Sequence, residues 1–104
     1  MCERRRAPRF AFGRVAEITT VHPYTYIIAS IAELSLFGCF VTTPETVFIG
    51  TKVDLRITNY GRAFKASGEV VSVQTKNGIG IKFTATAPND VALLQVWLGQ
   101  PTKF

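Results

Sequence analysis

From Phe10 onward, apolar and polar residues alternate with a period of two along most of the chain, the pattern of strands with one buried face. Phe10 and Phe12 alternate with Arg9 and Ala11, and the phase slips near Gly13, where a bulge lets Val15 resume it. A turn at His22-Pro23 leads into a second strand, Thr25 to Ala32, rich in β-branched residues. A third strand follows Gly38, with Cys39 and Val41 facing away from Phe40 and Thr42. Thr43 to Gly50, which holds Pro44, reads as a loop. Val53, Leu55 and Ile57 then alternate with Lys52, Asp54 and Arg56, and Asn59-Tyr60-Gly61 turns the chain into a long strand, Ala63 to Thr75. Asn77-Gly78 accommodates the positive φ angles of a type I′ hairpin. The returning strand carries Ile79, Ile81 and Phe83 on one face and Gly80 and Lys82 on the other.

Only the tail changes period. Asn89 after Pro88 serves as an N-cap, and Asp90 lies at the positive end of the helix dipole. Val91, Leu94 and Leu98 recur at helical spacing, Leu93, Val96 and Trp97 widen the apolar face, and Gly99 and Pro101 end the helix. A helix this apolar must rest on the barrel mouth or on another subunit. Six strands and one helix define an all-β domain, a six-stranded antiparallel barrel whose closure removes exposed edges.

Composition narrows the class of function more than the fold. A chain of 104 residues holds one core, and 47% hydrophobic with 18% charged residues is globular. Gly38, Thr42, Thr43 and Pro44 interrupt the greasiest stretch, so no membrane insertion is expected. A charged N-terminus without an apolar core is not a signal peptide, and a cytoplasmic location is the expectation. Cys2 and Cys39 suit a reduced compartment as two unbridged thiols, and they lack the spacing and histidine partners of a zinc site.

The net charge of +5 is uneven: Arg4, Arg5, Arg6, Arg9 and Arg14 against Glu3 give residues 1–14 a charge of +4. A near-neutral body with a basic arm points to an anionic partner, or to a solvated leader.

Catalysis has little to work with. His22 stands alone before a proline, and no nucleophile elbow, phosphate-binding glycine loop, metal-ligand spacing or acid/base pair is present. Two segments do carry recognition chemistry. In Arg5-Arg6-Ala7-Pro8-Arg9, Pro8 keeps Ala7 extended and holds Arg5 and Arg9 apart. Their guanidinium groups can grip phosphate, read the O6/N7 edge of guanine and stack on its ring. In Glu33-Leu34-Ser35-Leu36-Phe37-Gly38, at a strand junction, a carboxylate can accept from guanine N1–H and N2–H and a hydroxyl can meet phosphate. The glycine permits close approach or positive φ.

In this order and on this scaffold, the two segments resemble the PilZ domain family. That family has an Arg-x-x-x-Arg motif before the first strand, matched by Arg5 and Arg9, and an Asp/Asn-x-Ser-x-x-Gly motif after the second, matched by Ser35 and Gly38. Gly78-Ile79-Gly80-Ile81-Lys82-Phe83 and the trailing helix agree with the family's end, so the resemblance spans nearly the whole chain. It implies a basic arm over residues 1–9, a single PilZ-type barrel over 10–104, and a receptor, not an enzyme, for the bacterial second messenger cyclic di-GMP. By the same resemblance Arg5 and Arg9 would wrap the ligand, and Glu33, Ser35 and Gly38 would receive it. Arg4 and Arg6 are secondary contacts; a basic residue at Arg4 accompanies an intercalated ligand dimer in the family. No other cofactor is implied, and the receptor would relay the signal to a downstream protein as a monomer or weak homodimer.

One position departs from the pattern. Glu33 stands where the family has Asp or Asn, which displaces the carboxylate by one C–C bond, roughly 1.5 Å. Loss of that guanine contact would cost on the order of 1–3 kcal/mol. An alternative role therefore stays open, that of a PilZ-like adaptor with lost or weakened nucleotide binding that works through protein contacts, for instance on helix 91–98. A barrel for single-stranded nucleic acid ranks last, because the body is near neutral and most aromatics fall at core positions.

Overall fold

Alternation over residues 15–85 closes one sheet on itself. The computed structural model describes residues 10–11, 15–21, 24–59, 61–74 and 78–99. The strands are β1 (Phe10–Ala11), β2 (Val15–Thr20), β3 (Thr25–Leu34), β4 (Gly38–Thr42), β5 (Lys52–Asn59), β6 (Arg62–Gln74) and β7 (Gly78–Ala85). A single helix, α1 (Pro88–Trp97), follows.

All pairings are antiparallel and the order runs β3-β2-β5-β6-β7-β4, with β4 returning to pair with β3. The barrel therefore has six staves. The two-residue β1 pairs with β3 beyond the end of β2, Phe10 opposite Leu34 and Ala11 opposite Glu33, so β1 and β2 share one stave. Val15 lies four positions after Ala11 while their partners Ser30 and Glu33 lie three apart, a one-residue offset of the kind expected near Gly13. Gly13 itself, the His22-Pro23 turn and Asn77 lie outside the described residues; Gly78 is the first residue of β7 and, unlike Gly50, Gly61 and Gly99, does not take the positive φ expected of it in a type I′ turn.

Side chains at every second position fill the interior: Ile18 from β2, Ile27 and Ile31 from β3, Val41 from β4, Leu55 and Ile57 from β5, Phe64 and Val70 from β6, and Ile81 from β7. Phe64 is fully buried and anchors an aromatic group, with Phe83 at 5.4 Å and Trp97 at 6.3 Å between ring centroids.

Helix α1 lies against β6, with Leu94 and the C-cap residue Leu98 buried in the core and Leu93 and Trp97 partly covered. Its start differs from the expectation. Ala87 is the cap residue, without a side-chain hydrogen bond, and Pro88 takes the first helical position, where its missing N–H costs nothing. This moves Asn89 inside the helix. Asp90 has a further task, because its Oδ1 accepts the Lys65 backbone N–H at 3.1 Å, beyond the last β6–β7 pair at Ser67–Ala85. The helix thus takes over where the β7 strand stops. Val96 is 68% exposed and does not widen the buried face, since that face is set by Leu94 and Leu98.

Candidate functional site

Strand β3 runs two residues further than expected, through Glu33 and Leu34. The reason is a bulge: Ile31 faces Val41 and Glu33 faces Phe40 on β4, leaving Ala32 as the extra residue. Its consequence is directional. Strict alternation after Ile27, Ala29 and Ile31 would send Glu33 into the apolar interior and Leu34 outward. The extra residue reverses this, so Leu34 is buried and Glu33 stays half-exposed at the barrel surface.

Immediately beyond, Ser35 to Gly38 forms a tight turn into β4. The Ser35 N–H donates to the Gly38 carbonyl at 2.9 Å, and the Ser35 hydroxyl donates to the same oxygen at 3.3 Å. That hydroxyl also accepts the Phe37 N–H at 3.1 Å, a serine turn that satisfies a backbone donor the sheet cannot reach. From the adjacent strand β7, in register with the Gly38–Lys82 pair, the Phe83 N–H donates to the Phe37 carbonyl at 2.8 Å. Ser35 is buried and organises the turn, its hydroxyl donating and accepting within it.

Gly38 is required by proximity and not by a left-handed backbone. A Cβ there would overlap the Ile81 carbonyl oxygen of β7. The close β4–β7 contact at this end depends on the absence of a side chain.

Of the residues singled out in the sequence, the fold brings Glu33, Ser35 and Gly38 onto one rim. Arg4, Arg5, Arg6 and Arg9 lie outside the described residues. The point where the arm joins the barrel is described: Phe10 pairs with Leu34, one residue from Ser35.

Two features escaped the sequence reading. One is the Phe83–Phe37 hydrogen bond, which ties the turn to the strand before the helix and has no sequence signal. The other is a groove of about 460 Å³ bounded by Tyr26, Arg56, Lys65 and Asp90, which shares no residue with the 33–38 turn. Its carboxylates are already engaged: Glu17 with Arg56 at 3.4 Å, Asp54 with the Ser67 hydroxyl at 2.8 Å, and Asp90 with the Lys65 amide.

No cluster of histidine, cysteine and carboxylate side chains able to hold a metal occurs among the described residues. Cys39 is buried, and burial pushes its thiol up to about 12, so it is an inert core group. No helix among the described residues is long and apolar enough to cross a membrane.

Comparison with known proteins places this geometry. The PilZ domain model matches residues 3–100. The PilZ domain of CeSA from a cellulose-synthesizing bacterium superposes with a TM-score of 0.72 at 14% identity, covering 88% of this chain and 96% of that one. The PilZ domain of Escherichia coli YcgR with c-di-GMP gives 0.72 at 16% identity, covering 93% and 91%. The Bacillus subtilis inhibitor of motility gives 0.76 at 18% identity, covering 94% of this chain but 51% of the other, so this chain spans about half of that protein's length. No curated protein sequence matches. A motif pair in family order, a six-stave barrel and a family match over residues 3–100 converge: the chain belongs to the PilZ domain family, non-catalytic receptor domains for cyclic di-GMP.

Proposed function

We propose that this protein is itself a cyclic di-GMP receptor, with Arg5 and Arg9 of the basic arm closing over a ligand seated on Glu33, Ser35 and Gly38. The observation that carries the reading is the joining of arm and turn. With Phe10 opposite Leu34, the arginine arm begins within a residue of the Ser35–Gly38 turn, and the Ala32 bulge leaves Glu33 half-exposed at the surface beside it. A ligand with two phosphates and two guanines suits this division of labour. The arm offers guanidinium groups for phosphate and the Hoogsteen edge of guanine, and the rim offers a carboxylate acceptor for its N1–H and N2–H. Ordering the arm costs conformational entropy, which the charge-assisted contacts must exceed.

The receptor acts in the cytoplasm, and a downstream protein reads the occupied arm. The reading in which the domain works through helix α1 alone is weakened, because Leu94 and Leu98 are buried in the chain's own barrel.

Isothermal titration with cyclic di-GMP tests the proposal. Saturable binding that Arg5→Ala and Arg9→Ala each abolish is expected; absence of heat at high micromolar ligand would overturn it. The same titration on Glu33→Asp resolves the departure from the family pattern. Tighter binding identifies Glu33 as a weakening substitution, and weaker binding identifies a rim built around glutamate.

A further inference from the structure

Phe37 sits at the tip of the Ser35–Gly38 turn and is 46% exposed. A single exposed phenylalanine is ordinary on a protein surface. Two features set this one apart. Both of its backbone polar groups are held by protein, the N–H by the Ser35 hydroxyl at 3.1 Å and the carbonyl by the Phe83 N–H at 2.8 Å. The ring therefore projects from a fixed point, and ordering it further involves only two side-chain torsions. It is also the aromatic residue of the 33–38 segment, whose other functional groups, the Glu33 carboxylate and the Ser35 hydroxyl, are polar. A carboxylate such as that of Glu33 engages the edge of a purine and leaves its flat face without a partner, and a guanine that is hydrogen-bonded only at its edge keeps a large apolar surface in water.

We propose that Phe37 is the stacking platform for a guanine of cyclic di-GMP, a binding residue at a position the family motif leaves unspecified. This rests on the receptor reading above. The ring supplies a π face and excludes water, while Glu33 supplies a hydrogen-bond acceptor for the guanine edge. Edge contacts distinguish guanine from adenine; stacking does not, since every base has a π face. Affinity and base selectivity therefore reside in different side chains of the same turn.

The test is calorimetric titration of the full chain with cyclic di-GMP and cyclic di-AMP, using wild type, Phe37→Ala, Phe37→Leu and Phe37→Tyr, with thermal melting of each in the absence of ligand. Phe37→Ala and Phe37→Leu should weaken cyclic di-GMP by about tenfold or more, whereas Phe37→Tyr should stay within about threefold of wild type. The ratio of guanine to adenine ligand affinity should hold across the series. Proton NMR adds a direct signature, an upfield ring-current shift of a guanine H8 that is present with Phe or Tyr and lost with Leu. Binding by Phe37→Leu as tight as by Phe37→Tyr, with no change in the H8 shift, overturns the proposal even if Phe37→Ala unfolds. Failure of wild type to bind removes the receptor reading itself, so the wild-type titration tells the two failures apart.

Discussion

The β5–β6 ladder and the β4–β7 seam are both antiparallel pairings in one barrel, yet they are built on different terms. Lys52 to Asn59 pairs with Arg62 to Glu69 over eight residue pairs with no slip, and β5 alternates strictly between exposed and buried positions. Its outward side chains pair among themselves, Lys52 with Glu69 and Asp54 with Ser67. The β4–β7 seam has five pairs, three of them involving Gly38, Gly80 or Gly78, and both outer neighbours of the seam carry a bulge: Ala32 in β3 and the Val70–Ser72 step in β6. Regular pairing yields stability and a surface of matched charges. Departures from it re-aim Glu33 outward and allow the backbones to meet at Gly38. The candidate site sits where the sheet breaks its own rule.

If that contrast is correct, glycine substitutions should separate the regions most strongly. Gly38→Ala forces a Cβ into the Ile81 carbonyl and should cost about 3 kcal/mol or more in urea denaturation, with ligand binding lost alongside. Gly61, in the β5–β6 connection, has open space around a Cβ and a φ of 74°, so Gly61→Ala should cost only about 1 kcal/mol, from backbone strain alone. Equal losses would dissolve the distinction.

An effect confined to alkaline pH should also appear. Cys39 lies within the seam, opposite Ile81 and Leu34, and its folded value of about 12 exceeds the ordinary 9.0. Because the raised value belongs to the folded state, the stabilisation from keeping the thiol neutral is complete below pH 9 and is lost as pH climbs toward 12. Denaturation profiles of wild type should therefore fall relative to Cys39→Ala by about 1.4 kcal/mol per pH unit in that window. Parallel profiles would mean that the thiol does not titrate against the seam.

The smallest effect belongs to the ladder's surface. Lys52 and Glu69 are 3.1 Å apart, with the lysine 68% exposed, so Lys52→Ala should change stability by less than about 0.5 kcal/mol and the difference should vanish at high salt. A larger, salt-resistant change would promote surface charge to a structural role in this half of the barrel.

The same contrast governs how much could be read from the residues alone. The ladder was legible because Val53, Leu55 and Ile57 repeat without interruption. So were the helix and the close backbone approach at Gly38. The end of β3 was not, because one extra residue at Ala32 inverts the phase, and a bulge in a run of Ile, Ala and Leu leaves no compositional mark. The helix cap was missed for a related reason. Asn89 has the chemistry of a cap, but Pro88 fits the first helical turn and moves the boundary back to Ala87. The role of Phe37 depends on a hydrogen bond from Phe83, forty-six positions along the chain, which local spacing does not encode.

The order of the staves also bears on how the protein assembles. Strands β2, β3 and β4 form one meander of consecutive neighbours, and β5, β6 and β7 form another. Each can develop from contacts close in sequence, whereas the two joints, β2 with β5 and β4 with β7, bring together residues such as Gly38 and Lys82 across a long loop. Joining distant segments is the slow part of folding for such topologies. The Ser35–Gly38 turn takes its last hydrogen bond, from Phe83, only when the second meander docks on the first. Neither half alone would carry a finished turn, so on the receptor reading proposed above a nascent or partly unfolded chain would be blind to the messenger, and only molecules that have completed their closure would draw ligand.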